Sequence, residues 1–363
     1  MLVSQILQKM VTDINRIIKE DCSIWSTEGV CLATTSNDIG NVETDVKSLL
    51  KETEDRSVQV TNETACFVVR YEGDAIYIFA IHKVIDNIAI MGKLCVSQFE
   101  NMMHLYEKRV DRNRFFQQLV LDNLLLVDVH SQAKKMNLEV NAKRMVFVIE
   151  PKKKGDGLLL ETMRGIYDNG AKDVVISVDE TRIILVKTLA KSDTYQEVNR
   201  IAKTLVDTLS AEAMVQVRVA YGSIVEELKD VSKCYKEAGM ALDVGRIFYA
   251  HKEVLAYNEL GIGRLIYQLP YSLCEMFLQE VFHGNALEQF DKETLATVNA
   301  FFENDLNISE TARKMYLHRN TLGYRLDKIQ KTTGLDVKKF EDALTFKIAL
   351  MVSDHMKFVQ SQE

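Results

Sequence analysis

The sequence predicts a multidomain α+β protein: a small α/β domain, a long helix, a second α/β domain and an all-helical C-terminal domain. Three observations lead to this prediction. The chain has 363 residues, more than one hydrophobic core usually holds. Segments rich in β-branched residues alternate with helical patterns up to residue 262, and only helical patterns follow. The composition, 47% hydrophobic and 27% charged, is typical of a chain that folds throughout.

The first domain is predicted to span residues 1–95. Its first 18 residues place apolar side chains every three or four positions, which is typical of one face of a packed helix. Two hairpins are expected next, turning at 26–29 and at 72–74, where a glycine can supply the positive φ of a short loop. This order predicts a small mixed α/β domain.

Residues 96–135 are predicted to form a long helix and a connector. Neither glycine nor proline interrupts residues 96–127, and apolar residues recur there at helical spacing. Such a helix buries its apolar stripe either against the same helix of a second subunit or across its own domain. The sequence favours the dimer and leaves the other arrangement open.

Residues 136–262 are predicted to form a second α/β domain with one sheet backed by helices. The β-branched runs predict strands at 145–150, 173–178, 182–187 and 215–221. The intervening patterns predict helices at 157–167, 193–209 and 225–242.

The last domain, residues 263–363, is predicted to contain a helix-turn-helix motif at about 308–331. Ser309 can cap a short first helix, and the small side chain of Ala312 allows a second helix to approach closely. In that second helix three apolar residues repeat at i, i+4 and i+7 and should face the core: Leu322, Leu326 and Ile329.

The opposite face of the second helix is polar and basic. Residues 310–340 contain eight Lys/Arg and three Asp/Glu, a local charge of +5 in a chain whose net charge is −7. Arg, Lys and Asn side chains read base edges or bind phosphates when a helix enters the major groove. We therefore expect double-stranded DNA as a partner, against the alternative of an ordinary packed subdomain with a solvated charged face. The candidate DNA contacts are Arg313, Lys314, His318, Arg319, Asn320, Thr321, Tyr324, Arg325, Lys328 and Lys331.

No catalytic motif is recognisable in the sequence. A nucleophile-elbow serine, a zinc-protease helix motif, a phosphate-binding loop and a dinucleotide fingerprint are all missing, and the seven histidines are scattered. The six cysteines show no metal-ligand spacing and are expected to be buried thiols. We expect no enzyme activity, no catalytic residues, no metal and no cofactor.

The chain has no apolar run long enough to cross a bilayer and no signal-peptide pattern at its start. These features predict a cytoplasmic protein without a membrane partner.

The stretch NISETARKMYLHRNTLGYRLDKIQKTTGLDVKKFEDALTFKIAL resembles the C-terminal helix-turn-helix of the purine-catabolism and sugar diacid regulator families, the CdaR/PucR type. The family signature HRNTLRYRL followed by TGLD is matched from His318 to Leu326 and from Thr333 to Asp336, except at one position. Gly323 replaces the usual arginine, which removes one potential DNA contact. The resemblance implies a ligand-responsive bacterial transcription regulator.

The resemblance also implies that the middle domain is a degenerate GGDEF-like domain. Active cyclases of that fold carry Gly-Gly-(Asp/Glu)-Glu-Phe on a hairpin, where the glycines let the nucleotide approach the backbone. Here the hairpin tip is Val178-Asp179-Glu180-Thr181, without glycine. Asp179 and Glu180 are therefore expected to be turn residues, and cyclase activity is not expected.

The first domain resembles the sugar diacid recognition domain and is expected to be a PAS-like or diacid-recognition-like sensor of a small molecule. The implied ligand-binding residues are Trp25, Ser36, Asn37, Ile39, Gly40, Arg70 and His82. Asp38 stands where the family usually has a basic residue and would repel a carboxylate. Three alternatives stay open: a different ligand, compensation by Arg70 or His82, or a lost pocket. An aromatic residue on a strand face such as Trp25 is more often ordinary core, and the sequence favours that interpretation.

These features together predict a homodimeric or larger DNA-binding regulator that controls a metabolic or transport operon in response to an effector. An alternative is a signalling module that acts through protein contacts and whose helical tail does not read DNA. The sequence fixes neither the effector nor the operator.

Overall fold

The structure is a computed structural model that describes residues 4–51, 58–61, 63–152, 158–167, 172–179, 181–282 and 290–361. The chain divides into two units, Met1–Phe115 and Phe116–Glu363. Both units combine a β-sheet with helices, so the predicted α+β class is confirmed. No helix in the described ranges is both long and apolar enough to cross a membrane.

The first unit is built on a five-stranded antiparallel sheet with the strand order β2-β1-β5-β4-β3. Its elements are α1 (Ser4–Ile18), β1 (Cys22–Ser26), β2 (Cys31–Thr34), α2 (Gly40–Lys51), β3 (Val58–Val60), β4 (Ala65–Tyr71), β5 (Asp74–Ile81) and α3 (Ile88–Val120). Both predicted hairpins are confirmed, and Gly29 and Gly73 adopt the positive φ that their turns require.

The sheet of the first unit is covered on both faces. Side chains of β5 alternate, so that Phe79 packs with α1 and α3 while Ile78 packs under α2. Gly92 lets α3 lie close to the sheet, because a Cβ there would be 1.9 Å from the ring of Phe67. The apolar stripe of α3 at Phe99 and Met103 is buried in the core of its own unit, so these two residues do not form the favoured contact with a second subunit but pack across their own domain.

The long helix differs in its bounds from the prediction. The sequence pattern places it at 96–127, whereas α3 covers Ile88–Val120 and a separate helix, α4 (Leu126–Lys135), follows. Asp122 adopts the left-handed conformation with φ 63° and ends the helical hydrogen-bond pattern. Aspartate tolerates this conformation better than most residues, so a helix can stop without glycine or proline.

The second unit begins with an α/β part whose six-stranded sheet has the order β11-β9-β6-β8-β7, with β10 paired to β6. After α4 come β6 (Asn141–Pro151), α5 (Leu158–Tyr167), β7 (Val174–Ser177), β8 (Ile183–Thr188), α6 (Tyr195–Glu212), β9 (Val217–Tyr221), β10 (Val225–Glu227), α7 (Val231–Phe248) and β11 (Val254–Ala256). Gly157, the predicted start of the first helix here, lies outside the described residues.

One prediction for the α/β part is wrong. Residues 225–227 were expected to begin a helix, but Val225 pairs with Arg144 and extends the sheet as β10. A 3₁₀ turn, Leu228–Asp230, then leads into α7. Pairing with the neighbouring strand decides the conformation of this short segment, whose periodicity alone is ambiguous.

Among the described residues, six helices complete the second unit: α8 (Ile262–Tyr267), α9 (Tyr271–Phe282), α10 (Lys292–Glu303), α11 (Ile308–Lys314), α12 (Arg319–Thr333) and α13 (Phe340–Gln360). Their shared core brings Phe301 of α10 and Phe346 of α13 together with the apolar face of α12. This core holds α11 and α12 as a pair with α12 at the surface.

Candidate nucleic-acid interface

The first helix of the predicted motif, α11, is capped by Asn307. Its side-chain Oδ1 accepts a hydrogen bond from the backbone N–H of Glu310 at 3.0 Å. The prediction that Ser309 caps this helix is wrong, since Ser309 is the second residue inside α11. Asp305 and Leu306 both have positive φ, and these two left-handed residues end α10 and fix the start of α11.

Four residues, 315–318, join α11 to α12. Tyr316 adopts φ 53° and its side chain is 97% exposed. The N–H of Leu317 donates to the carbonyl of Ala312 at 2.9 Å and closes the turn. His318 then caps α12, because its Nδ1 accepts from the N–H of Asn320 at 3.3 Å.

The apolar side of α12 packs as predicted. Leu322, Leu326 and Ile329 are fully buried in the helical core. Gly334 ends the helix in the left-handed conformation, with φ 79°. These contacts fix which side of α12 remains exposed.

The opposite side of α12 is polar. Tyr324 is 71% exposed. Other exposed side chains lie on the same side or at its N-terminal end: Arg319, Asn320, Thr321 and Lys331. Arg319 and Lys331 have no carboxylate within 4 Å in the part of the chain that the structure describes. The arrangement offers cationic and hydrogen-bonding groups on one exposed helix face.

Other cations of the candidate set have acidic partners. Arg313 binds Glu310 at 2.8 Å, and Lys314 lies 4.0 Å from the same carboxylate. Both cations are exposed. Because such surface pairs contribute little to stability, they can exchange one partner for another.

Arg325 and Lys328 contact the N-terminal turn of α10. Arg325 donates to Thr297 at 2.9 Å and pairs with Glu293. Lys328 pairs with Asp291 at 3.0 Å. The structure therefore places these two candidate residues at the seam between α12 and α10, beside the exposed face.

Gly323 lies inside α12 with open space beside it. A Cβ built at this position meets no atom within 4 Å. The glycine is therefore not required by close packing within the described residues.

The predicted ligand-binding residues of the first unit fall into separate groups. Trp25 is 1% exposed and packs under α2 with Val46 and Ile78. Its Nε1 donates to Ser23 Oγ at 2.7 Å, and that oxygen lies 2.8 Å from Nε2 of His82. Burial lowers the pKa of His82, against the opposing effect of nearby Asp21 and Asp38.

The loop before α2 holds the other polar candidates. Ser36 Oγ donates to the carbonyl of Asp38, and the Asp38 carboxylate accepts from the N–H of Gly40 at 3.3 Å. Ile39 packs with the cluster around Trp25, while the side chain of Asn37 is exposed.

Arg70 lies away from His82. It occupies the tip of the β4–β5 hairpin and donates to the carbonyl of Gly73 at 3.1 Å. His82 follows Ile81, which pairs with Ala65 at the other end of the same two strands. The structure therefore brings Trp25 and His82 together through Ser23, and it separates Arg70 from them.

The hairpin tip of the α/β part is held by Asp179. Its Oδ1 accepts from the backbone N–H of Thr181 at 2.8 Å and of Arg182 at 2.7 Å, as expected for a turn residue. Glu180 lies outside the described residues.

An ionic cluster next to this hairpin was not found by sequence reasoning. Arg182 lies 3.6 Å from Glu150 and 3.9 Å from Asp243. Arg246 binds Glu150 and lies 3.1 Å from Asp243. Tyr267 of α8 donates to Asp243 at 3.0 Å, and burial together with that carboxylate raises the pKa of Tyr267 to about 12. These residues are far apart in the sequence, and no local motif marks them.

Two family descriptions match the chain. Residues 294–352 match the PucR C-terminal helix-turn-helix domain, and residues 123–244 match the GGDEF-like domain.

The chain is also similar to individual proteins. The purine catabolism regulatory protein of Bacillus subtilis strain 168 is 27% identical over 164 residues, which are 44% of this chain and 31% of that protein. The chain therefore spans about a third of that relative. The carbohydrate diacid regulator of Escherichia coli K12 is 22% identical over 79% of this chain and 78% of its own length. The uncharacterized protein YsfB of B. subtilis strain 168 is 23% identical over 96% of this chain and 97% of its own length.

The helix-turn-helix geometry lies within the match to the PucR domain, and the ionic cluster and the hairpin without glycines lie mainly within the match to the GGDEF-like domain. The chain therefore carries a PucR-type C-terminal helix-turn-helix domain and a GGDEF-like domain, and it is similar to transcription regulators of the CdaR/PucR type.

Proposed function

We propose that this regulator is a ligand-responsive homodimer that binds a pseudo-palindromic operator of a metabolic or transport operon. The observation that carries the proposal is the exposed polar face of α12, whose cations Arg319 and Lys331 are free to meet DNA. A dimer would present two recognition helices about 34 Å apart, one turn of the double helix. The site of action would be the cytoplasm, where the operator lies.

Each side chain of the interface has a role in this proposal. Asn320, Thr321 and Tyr324 face the base edges, since they lie along the outward side of α12 near its N-terminus. Arg319, Lys331, Arg313 and Lys314 neutralise phosphates. His318 acts mainly through its cap, which orients the first turn of α12.

The proposal is tested on a duplex fragment enriched from a random-sequence pool by the wild-type protein. Replacing Arg319 and Lys331 by Ala should weaken binding and reduce the slope of log affinity against log salt by about 0.9 for each lost phosphate contact. Lys203→Ala, an exposed lysine of α6, is the matched control and should leave both quantities unchanged. Equal, weak retardation of all DNA by wild type and variant would overturn the proposal in favour of a protein-contact module.

We further propose that the first unit senses the effector and that the GGDEF-like domain is not an enzyme. One oxygen of Asp179, Oδ1, accepts from three donors of its own hairpin, which is the task of a turn residue. Incubation with nucleoside triphosphates and Mg²⁺ should give no turnover. Measurable cyclic dinucleotide product would contradict this part.

The effector can be sought through Trp25, the only tryptophan in the chain. A panel of sugar diacids, amines, amino acids and purines is titrated while tryptophan emission is recorded. We expect the effector to shift the emission and change operator affinity at the same concentration. We expect sugar diacids to do neither, because Asp38 adds negative charge near His82. A diacid that shifts both signals would refute this expectation.

A further inference from the structure

Arg325 is the most buried cation of the recognition helix. Its side chain is 19% exposed, and Nη1 donates to Thr297 Oγ1 at 2.9 Å while Nη2 binds the carboxylate of Glu293. Thr297 is completely buried and donates its own proton to the carbonyl of Glu293 at 2.7 Å. Because the Thr297 hydroxyl donates to that carbonyl, its oxygen can accept the hydrogen bond from the guanidinium. Two N–H groups of Arg325 thus have acceptors on α10, Thr297 and Glu293.

The location of Arg325 on α12 differs from that of the outward residues. At about 100° per residue, Arg325 is rotated away from Tyr324 toward the seam with α10. The buried residues Leu322 and Ile329 lie on its other side. The guanidinium therefore lies at the edge of the apolar contact between α12 and α10, and its hydrogen bonds to Thr297 and Glu293 add to that contact.

Lys328 is a useful comparison one turn further along. The lysine itself is more exposed than Arg325, 39% against 19%, and its partner Asp291 is 56% exposed. Exposed pairs of this kind contribute little and give way to a phosphate. The fork geometry of Arg325, in contrast, needs an arginine to reach a hydroxyl and a carboxylate at once.

We propose that Arg325 is a positioning residue that fixes the angle of α12 on α10 and does not contact DNA, whereas Lys328 exchanges Asp291 for a phosphate. This inference rests on the proposed function and changes the assignment that the sequence gives to Arg325. Its consequence is that Glu293, an acidic residue beside the DNA-binding face, supports sequence-specific binding through Arg325.

Glu293→Gln distinguishes the two roles by the sign of its effect. If Arg325 positions the helix, loss of the carboxylate weakens its bond and lowers affinity for the enriched fragment by up to about fivefold, the upper range for a pair with an exposed carboxylate. If Arg325 contacts DNA, the same change frees the guanidinium and removes a repulsive charge, so affinity stays equal or rises. Glu293 is 76% exposed, so its substitution should leave the domain folded.

Three further variants complete the set of test proteins: Arg325→Met, Lys328→Ala and the double variant Glu293→Gln/Arg325→Met. For Arg325→Met we expect a lower ratio of specific to non-specific affinity and an unchanged salt slope. The double variant should lose no more than Arg325→Met alone, because both changes remove one interaction. Lys328→Ala should keep the specificity ratio and lower the slope by about 0.9. Circular dichroism confirms folding, and specificity is a readout that lower stability alone would not change.

The two possible failures are separable. A wild-type protein without sequence preference overturns the proposed function. If the wild type does prefer a sequence, two results overturn only the positioning role of Arg325. One is an unchanged or higher DNA affinity in Glu293→Gln, and the other is a reduced salt slope in Arg325→Met. An unchanged slope in Lys328→Ala overturns the exchange proposed for that lysine.

Discussion

Gly323 weakens the recognition helix at the level of one residue. A glycine inside a helix costs about 1 kcal/mol relative to alanine, and here no neighbouring atom requires it. The family signature that this stretch resembles has arginine at this position. The residue thus affects both helix stability and the number of available cations.

Gly323→Ala should raise the free energy of unfolding of the second unit by up to about 1 kcal/mol, measured by urea denaturation. Gly323→Arg should in addition tighten DNA binding and steepen the salt slope by about 0.9. Gly245→Ala is the control with an effect of opposite sign. Its added Cβ would lie 2.3 Å from Leu255 Cδ1, so this substitution should destabilise the unit. Unchanged DNA affinity in Gly323→Arg would show that this position lies off the interface.

His82 makes the stability of the first unit depend on pH. Burial lowers its pKa in the folded unit, so the unfolded chain takes up the proton at a higher pH. Stability is therefore complete above about pH 6.5 and decreases as pH falls through and below that value. Trp25, hydrogen-bonded to the same Ser23, reports unfolding of this unit.

His82→Gln should flatten the decline in stability between about pH 7 and pH 5, measured by tryptophan emission during urea unfolding. His104→Gln, at an exposed position of α3, controls for loss of an imidazole. An identical pH profile in His82→Gln and wild type would assign the dependence to other groups.

At the scale of secondary-structure elements, the caps determine where α11 and α12 begin. Asn307→Ala removes the bond to Glu310 N–H and should cost about 1 kcal/mol of stability. Ser309→Ala is the matched control, because Ser309 is an exposed helix residue, and its effect should stay below about 0.5 kcal/mol. Far-ultraviolet circular dichroism in urea measures both. A larger loss in Ser309→Ala would restore the cap predicted from sequence.

Local patterns predicted most elements but not their ends. The apolar triplet of α12 identified its buried face, because helical spacing alone decides it. Three residues show why element ends are not predicted by local patterns. Asp122 ends its helix in a left-handed conformation, and Val225 becomes a strand because it pairs with a neighbouring strand. Asn307 caps α11 because the preceding helix ends just before it. The role of Arg325 was equally hidden, since Thr297 and Glu293 come beside it only through packing.

For the whole molecule, the ionic cluster links the sheet of the second unit to the helical part. The carboxylate of Asp243 in α7 accepts a hydrogen bond from the hydroxyl of Tyr267 in α8. The helix α8 in turn contacts α13, which shares its core with α12. Burial and the nearby carboxylate keep the pKa of Tyr267 at about 12, so this phenol stays protonated and donates throughout the physiological range. This hydrogen bond therefore ties α8 to α7 and to the ionic cluster.

Tyr267→Phe should lower the stability of the second unit by about 1 kcal/mol, because Asp243 loses a donor. Tyr257→Phe is the control, since phenylalanine keeps the ring that contacts Arg264, 4.9 Å from the guanidinium carbon. Denaturation by urea, followed by circular dichroism, measures both. Equal effects of the two variants would show that the bond across the cluster contributes nothing.

The close approach of α3 to β4 at Gly92 restricts how this regulator can vary. Any added methyl group would collide with the ring of Phe67, so the helix would have to lift off the sheet. In a mutagenised library selected for folded first units, codon 92 should return only glycine unless the codon for Phe67 changes to a smaller side chain in the same clone. Positions 67 and 92 would then vary as a pair.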